Sequence, residues 1–364
     1  MNHILKYFLV TLLIPVSINA QLFQKDYLTG NDSLIEEKTL NLHILGTTFF
    51  NNNEFFNPYY QGYTLTGSFF QPKIVYTVNP KLILSAGVHL RKYFGDNGFI
   101  YAEPLFNIHY RVNNSLNIQM GSFEGGQNHL LPETIFDFEN HFSNLVENGI
   151  LITFNKKFLN SRLWIDWEKF IEPADTFREE FMAGIVNRVK LLNNNSKFHI
   201  DIPLFILAHH AGGQINDNNE PVETIFNLCG GLEIFGARAI SPFAQIFLHQ
   251  SSGDYSIGTG YAIQINGGFK TDNIELNAGY FSGWDFMSFR GLPLYHSYSE
   301  NSLTGYTLGG TNEIWNFKAG YKARLSNTSF LFLRFEGFYN PVVKKLDYIY
   351  GLHLQVNEIV RIAQ

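Results

Sequence analysis

From about residue 38 to the end, apolar residues alternate with polar or small ones in segments of roughly ten, the period of a strand whose two faces meet different surroundings. In LILSAGVHLRKYF, Leu82, Leu84, Ala86, Val88 and Leu90 fall on one face, and Ser85, Gly87, His89 and Arg91 on the other. Ala102, Phe106, Ile108 and Tyr110 stand opposite Glu103, Asn107, His109 and Arg111. Phe198, Ile200, Ile202, Leu204 and Ile206 oppose His199, Asp201 and His209, and Tyr348, Tyr350, Leu352, Leu354 and Val356 oppose Gly351, His353, Gln355 and Asn357. Helical periodicity is nearly absent.

Alternation also fits a soluble sandwich, so the connections decide. Short turns fall at Asn79-Pro80, Asn113-Asn114, 155–161, 193–195, Gly236-Ala237, 271–273 and Ser326-Asn327. Between them lie generally longer connections at 49–60, 95–98, 125–145, 171–176, 209–222, 251–254, 285–311 and 339–345. Short turns at one end and long loops at the other predict an all-β, antiparallel, up-and-down transmembrane barrel of about 16 strands (14 to 18), the short turns periplasmic and the long loops extracellular. In hydrocarbon every backbone group must be paired, so only a closed barrel is permitted. Phe49, Phe50, Phe55, Phe56, Tyr59 and Tyr60, and again Tyr93, Phe94, Phe99 and Tyr101, cluster where strands meet loops, as an interfacial girdle does.

The N-terminus fits export. Lys6 precedes the apolar run YFLVTLLIPV, which is too short to span a bilayer because a spanning helix needs roughly 20 residues. SINA then supplies a small-residue cut before Gln21. The expected division is a signal peptide over 1–20, a periplasmic segment over 21–37 and a barrel over 38–364, in the outer membrane of a Gram-negative cell. Hydrophobic residues make up 45% of the chain, yet they are spread singly rather than in membrane-length runs. The single cysteine, Cys229, excludes an internal disulfide. A formal charge of −6 makes nucleic acid an unsuitable partner; outer-membrane lipid is the expected one, with a second copy or a surface protein open. No cofactor or metal is expected.

Parity assigns Arg91, Glu103, His109, Arg111, Asp166, Glu168, Arg178, Glu180, Lys318, Lys322, Arg334 and Glu336 to the lumen. The two signs nearly cancel, which argues against strong charge selectivity and for a salt-bridged wall. The 125–145 connection carries Ile135, Phe136, Phe138 and Phe142, more apolar surface than water tolerates, with a helix start expected at Pro132 and Glu133. The expectation is that this loop folds inward as a constriction. In strand number, loop order and export signal the chain resembles the general porins, whose sixteen-stranded barrels fold the loop after the fifth strand into the lumen; no residue motif is shared. One departure is that the chain ends in VRIAQ, where such barrels end on an aromatic residue.

These features imply a porin-like channel for small polar solutes. The alternatives are a plugged scaffold that docks a surface protein through loops 209–222 and 285–311, or a transporter of hydrophobic solutes past Phe205, Phe243, Phe247, Phe330 and Phe332. Catalysis is the weaker reading. His209 and His210, and His249, Ser251, Ser252 and Asp254, lie at outer strand ends, but sequence alone does not bring a nucleophile and base together. The adjacent pair His209-His210 points to opposite faces of a strand and is poorly placed to share a metal. The chain is therefore expected not to be an enzyme.

Overall fold

The computed structural model describes Leu22 and residues 36–98, 101–191, 197–213, 215, 220–236, 239–301 and 305–363. The expected signal peptide lies outside the described residues. Sixteen strands close a single antiparallel barrel. In chain order they are β1 (Thr39–Glu54), β2 (Thr64–Asn79), β3 (Leu82–Tyr93), β4 (Tyr101–Arg111), β5 (Leu116–Glu124), β6 (Val146–Lys156), β7 (Leu159–Lys169), β8 (Glu179–Lys190), β9 (Phe198–Gly212), β10 (Glu223–Gly236), β11 (Ser241–Gly253), β12 (Gly260–Lys270) and β13 (Ile274–Trp284). After a small hairpin of β14 (Ser299–Asn301) and β15 (Tyr306–Leu308) come β16 (Thr311–Arg324), β17 (Ser329–Asn340) and β18 (Lys345–Ala363).

The last strand closes the barrel although it carries no terminal aromatic. β18 pairs with β1 from Leu40↔Ala363 to Glu54↔Tyr348, so the ladder has no open seam. Both barrel ends, Thr39 and Ala363, lie at the end of the short turns.

Burial follows the alternation. Outward residues such as Phe106, Ile108, Leu204 and Leu248 are 51–67% exposed, the belt that lipid would cover. Inward positions are buried and mostly polar: Gln71, His89, Asp166, Glu233, Gln245, Gln264, Asn316, Lys318, Glu336 and His353 are all 0–5% exposed. The pattern inverts that of a soluble protein, because lipid surrounds this barrel and the polar face must turn inward. Large aromatic residues, among them Phe49, Phe205, Phe247, Phe281 and Phe332, share that interior.

Two long loops from the extracellular end fill the lumen. The 125–145 loop places Ile135, Phe136, Phe138 and Phe142 inside, each 0–3% exposed. It is not helical at Pro132: that region makes one turn, closed by Phe136 N–H to the Pro132 carbonyl, and the helical turns sit at Gly126–His129 and Asn140–Ser143 instead. The groups that would form the next helical bond go to the second loop instead, the Glu133 carbonyl to Leu292 N–H and the Asp137 N–H to the Arg290 carbonyl, so the turn does not propagate. The second loop, 285–311, does not offer itself for docking over its first half, because Phe286, Leu292, Leu294 and Tyr295 are 0–3% exposed. Asn312 on β16 donates to the carbonyls of Leu294 and His296 at 2.8 and 2.7 Å and ties that loop to the wall.

Facing can be tested by charge. Arginine at Ile108 or Leu354 should cost about 2–4 kcal/mol if the site lies near the bilayer midplane, whereas arginine at Ser85 or Asn107 should cost little. Denaturant unfolding of barrels folded into vesicles measures the contrast, and equal tolerance at both pairs would refute this parity.

Candidate functional site

The two infolded loops are bonded to each other. Leu292 N–H donates to the Glu133 carbonyl at 2.9 Å, Asp137 N–H to the Arg290 carbonyl at 2.7 Å, and Ser288 Oγ to the Ile135 carbonyl at 3.3 Å. A side chain at Gly291 would run into the Thr134 carbonyl oxygen, so that glycine permits the close approach. The expected constriction is therefore half of a composite plug.

Charged pairs anchor the plug to the wall. Lys318 lies between Glu133 of the loop and Glu336 of β17, 2.7 Å from the latter, and Arg334 bonds Glu336 in turn. The Arg334 guanidinium stacks on Phe138 at 3.3 Å. On the other side His129 Nε2 lies 2.7 Å from Glu147 Oε1, while Arg162 donates to His129 Nδ1 at 3.1 Å. Burial, with Arg162 beside it, holds the His129 imidazole well below its usual pKa, and burial likewise lowers His141 to about 3. Burial and its neighbours Glu139 and Glu133 push the Asp137 carboxyl well above the usual range.

The other residues read as lumen-lining make separate contacts. Arg91 donates to the Ser143 carbonyl and lies over Tyr93 and Tyr101; Glu103 accepts from Asn148 at 2.6 Å. His109 and Arg111 share the inward row of β4 with Glu103. Asp166 accepts the Asn148 N–H at 2.7 Å. Lys322 lies over Phe330 near the short-turn end. Arg178 falls outside the β7–β8 pairing and does not join the expected salt-bridged wall. It stands before β8 and pairs with Glu220 and Glu223 above the wall, each at 3.2 Å.

At the external mouth, above the plug, four groups converge. His209 Nε2 on β9 lies 3.8 Å from a Glu168 oxygen and 4.0 Å from a Glu180 oxygen. Arg290 of the second loop bonds the other oxygen of Glu168, and the Phe289 ring lies 5.3 Å from the imidazole. The cause of this meeting is a bulge: Trp167 pairs with Phe181 and Lys169 with Glu180, leaving Glu168 unpaired and aimed into the mouth. These side chains are 16–33% exposed, within reach of water. The ligand atoms of Glu168, Glu180 and His209 lie within 4.8 Å of one another, a set that could hold a divalent cation. His210 points outward on the same strand, stacked on Phe181 at 4.9 Å and 2.8 Å from Thr224 Oγ1. His249 and Ser251 lie deep inside at 3% and 0% exposure, out of a substrate's reach, and Asp254 accepts the Thr224 N–H.

A closed sixteen-strand barrel with a girdled apolar exterior is a porin-like transmembrane barrel. The fold is similar to that of OmpTdeltaL8, a loop L8 deletion mutant of an outer membrane protein of Vibrio cholerae: TM-score 0.52, 11% identity, 89% of this chain and 100% of that one. It is also similar to OpdK from Pseudomonas aeruginosa, at 0.52, 8%, 88% and 99%, and to OccAB4 from Acinetobacter baumannii, at 0.53, 9%, 89% and 99%. At such identities the likeness establishes fold alone. By sequence the chain belongs to the lipid A 3'-O-deacylase-type family, whose model matches residues 30–364. No curated protein sequence matches. Membership in a deacylase-type family overturns the expectation that the chain is not an enzyme. His209 meets Glu180 on the neighbouring strand β8 and Glu168 on β7, pairings that alternation within one segment does not show.

Lys318→Met leaves Glu133 facing the interior without its cation and should destabilise the barrel by about 3–5 kcal/mol. Adding Glu133→Leu should recover much of that loss. Unfolding midpoints in detergent check both, and a neutral single substitution would contradict the tether.

Proposed function

We propose that the chain is an acyl-ester hydrolase of the outer membrane, acting on an acylated saccharide of the lipid A class at the external mouth of its barrel. The observation that carries this reading is the convergence of His209, Glu168, Glu180 and Arg290 above a lumen filled by two interlocked loops. Such a lumen favours surface chemistry over diffusion of solutes. The family supplies the substrate class: an ester in the outer leaflet lies at the level of this mouth, not of the plug.

The roles follow from the chemistry. His209 takes a proton from a water molecule that attacks the ester carbonyl. Glu168 and Glu180, 3.8 and 4.0 Å from His209 Nε2, stabilise the imidazolium that forms. Negative charge grows on the carbonyl oxygen, where the Arg290 guanidinium stabilises it. The imidazolium then gives its proton to the leaving alkoxide, yielding a free fatty acid and the sugar hydroxyl. The girdle residues Trp167 and Phe181, on the outer face of the same strands, would seat the substrate at the interface.

The test is release of fatty acid from purified lipid A in mixed micelles, followed by mass spectrometry. His209→Gln should lower the rate about 10²–10⁴-fold, and Arg290→Met about 10²–10³-fold. Full activity in H209Q, or none in the intact folded barrel, would overturn the reading.

A further inference from the structure

Beneath the plug the barrel opens toward its short-turn end in a cavity of about 190 Å³. Asn128, His129 and Leu130 of the first infolded loop form its roof. Its walls carry Arg162 from β7 and Arg188 and Lys190 from β8, facing Asp201 and Glu233 from β9 and β10. Asn155 and Asn160, beside the β6–β7 turn, stand at the entrance.

The charges do not balance group by group. Arg188 is matched, since its Nε lies 3.1 Å from Glu233 and its other arm donates to the Leu130 carbonyl at 2.6 Å. Arg162 has no carboxylate bonded to it: it donates to the His129 ring at 3.1 Å and to the Glu124 backbone carbonyl at 3.0 Å. The Glu147 and Glu124 carboxylates act on this charge from a distance, but no carboxylate bonds it directly, and an anion in the cavity would supply that contact. Lys190, on the same inward row as Arg188, adds a second cation nearer the opening. Carboxamides at the lip supply neutral donors for the remaining oxygens of such an anion.

We propose that this cavity binds a small oxyanion, the phosphate or carboxylate of a solute entering from the periplasmic side, with Arg162 and Lys190 as its charge partners. The site is separate from the external mouth and does not depend on the hydrolase reading. By holding Arg162, the ligand would also brace the roof, and so the plug above it, through His129.

Titration calorimetry of the folded barrel in detergent tests this, with inorganic phosphate in one arm, succinate in another and chloride as the ionic-strength control. One oxyanion should give a saturable isotherm that chloride does not. Because Arg162 also holds the roof, Lys190 is the deciding position: Lys190→Gln should weaken binding about tenfold, the loss of one charge-assisted contact. Lys190→Arg should keep most of the affinity, and neither change should alter the unfolding temperature without ligand. Absence of saturable heat with both anions, or equal affinity in the intact chain, K190Q and R162Q, would overturn the proposal and leave the arginines as roof supports only. The arm that saturates identifies phosphate or carboxylate as the ligand chemistry.

Discussion

The structure depends on one requirement: in hydrocarbon, every backbone N–H and C=O must find a partner within the protein. The β1–β18 ladder, running from Leu40↔Ala363 to Glu54↔Tyr348, meets it by leaving the sheet without an edge. Closure in turn creates an interior that the protein must fill or leave to water. This chain fills it, drawing two extracellular loops into the lumen and bonding them together where Leu292 meets Glu133 and Asp137 meets Arg290.

A lumen filled in this way is a mixed core, in which charge is tolerated only where it is answered. Lys318 answers Glu133 and Glu336, Arg188 answers Glu233, and Lys270 answers Glu275 at 3.2 Å. Removing one partner of such a group strands the other, so each pair holds its two segments together more firmly than its net energy implies. The mouth is different. Its charged groups remain partly wet, and a bulge, not regular pairing, aims Glu168 at His209. Chemistry is easier to place there, where side chains keep access to water and to the outer leaflet, than in the packed region below.

Much of the fold was legible because a strand period of two is independent of partner strands. Ile108 and Asn107, or Leu354 and Gln355, could be assigned to opposite faces from the sequence alone, and the turn spacing set the strand number. The inward course of the 125–145 loop was legible from Ile135, Phe136, Phe138 and Phe142, whose apolar surface had no other shelter. What the sequence did not disclose was pairing between distant segments. The second loop carries Phe286, Met287, Phe289, Leu292, Leu294 and Tyr295, but its course was not read from them; contact with residues some 150 positions earlier shows that it belongs inside. Arg178 was misplaced because parity does not say where a strand ends; β8 begins one residue later. His209, Glu168 and Glu180 were each visible, but on three strands, and the bulge that joins them has no local signature.

The claim on which the rest turns is that the interlocked loops close the lumen, which makes the external mouth a working surface instead of the entrance to a pore. Single-channel recording of the intact, folded barrel in a planar bilayer addresses it most directly. The account expects insertion without stepwise conductance above the bare membrane. Regular ohmic steps from the intact chain, of the size that an open sixteen-strand barrel passes, would contradict it.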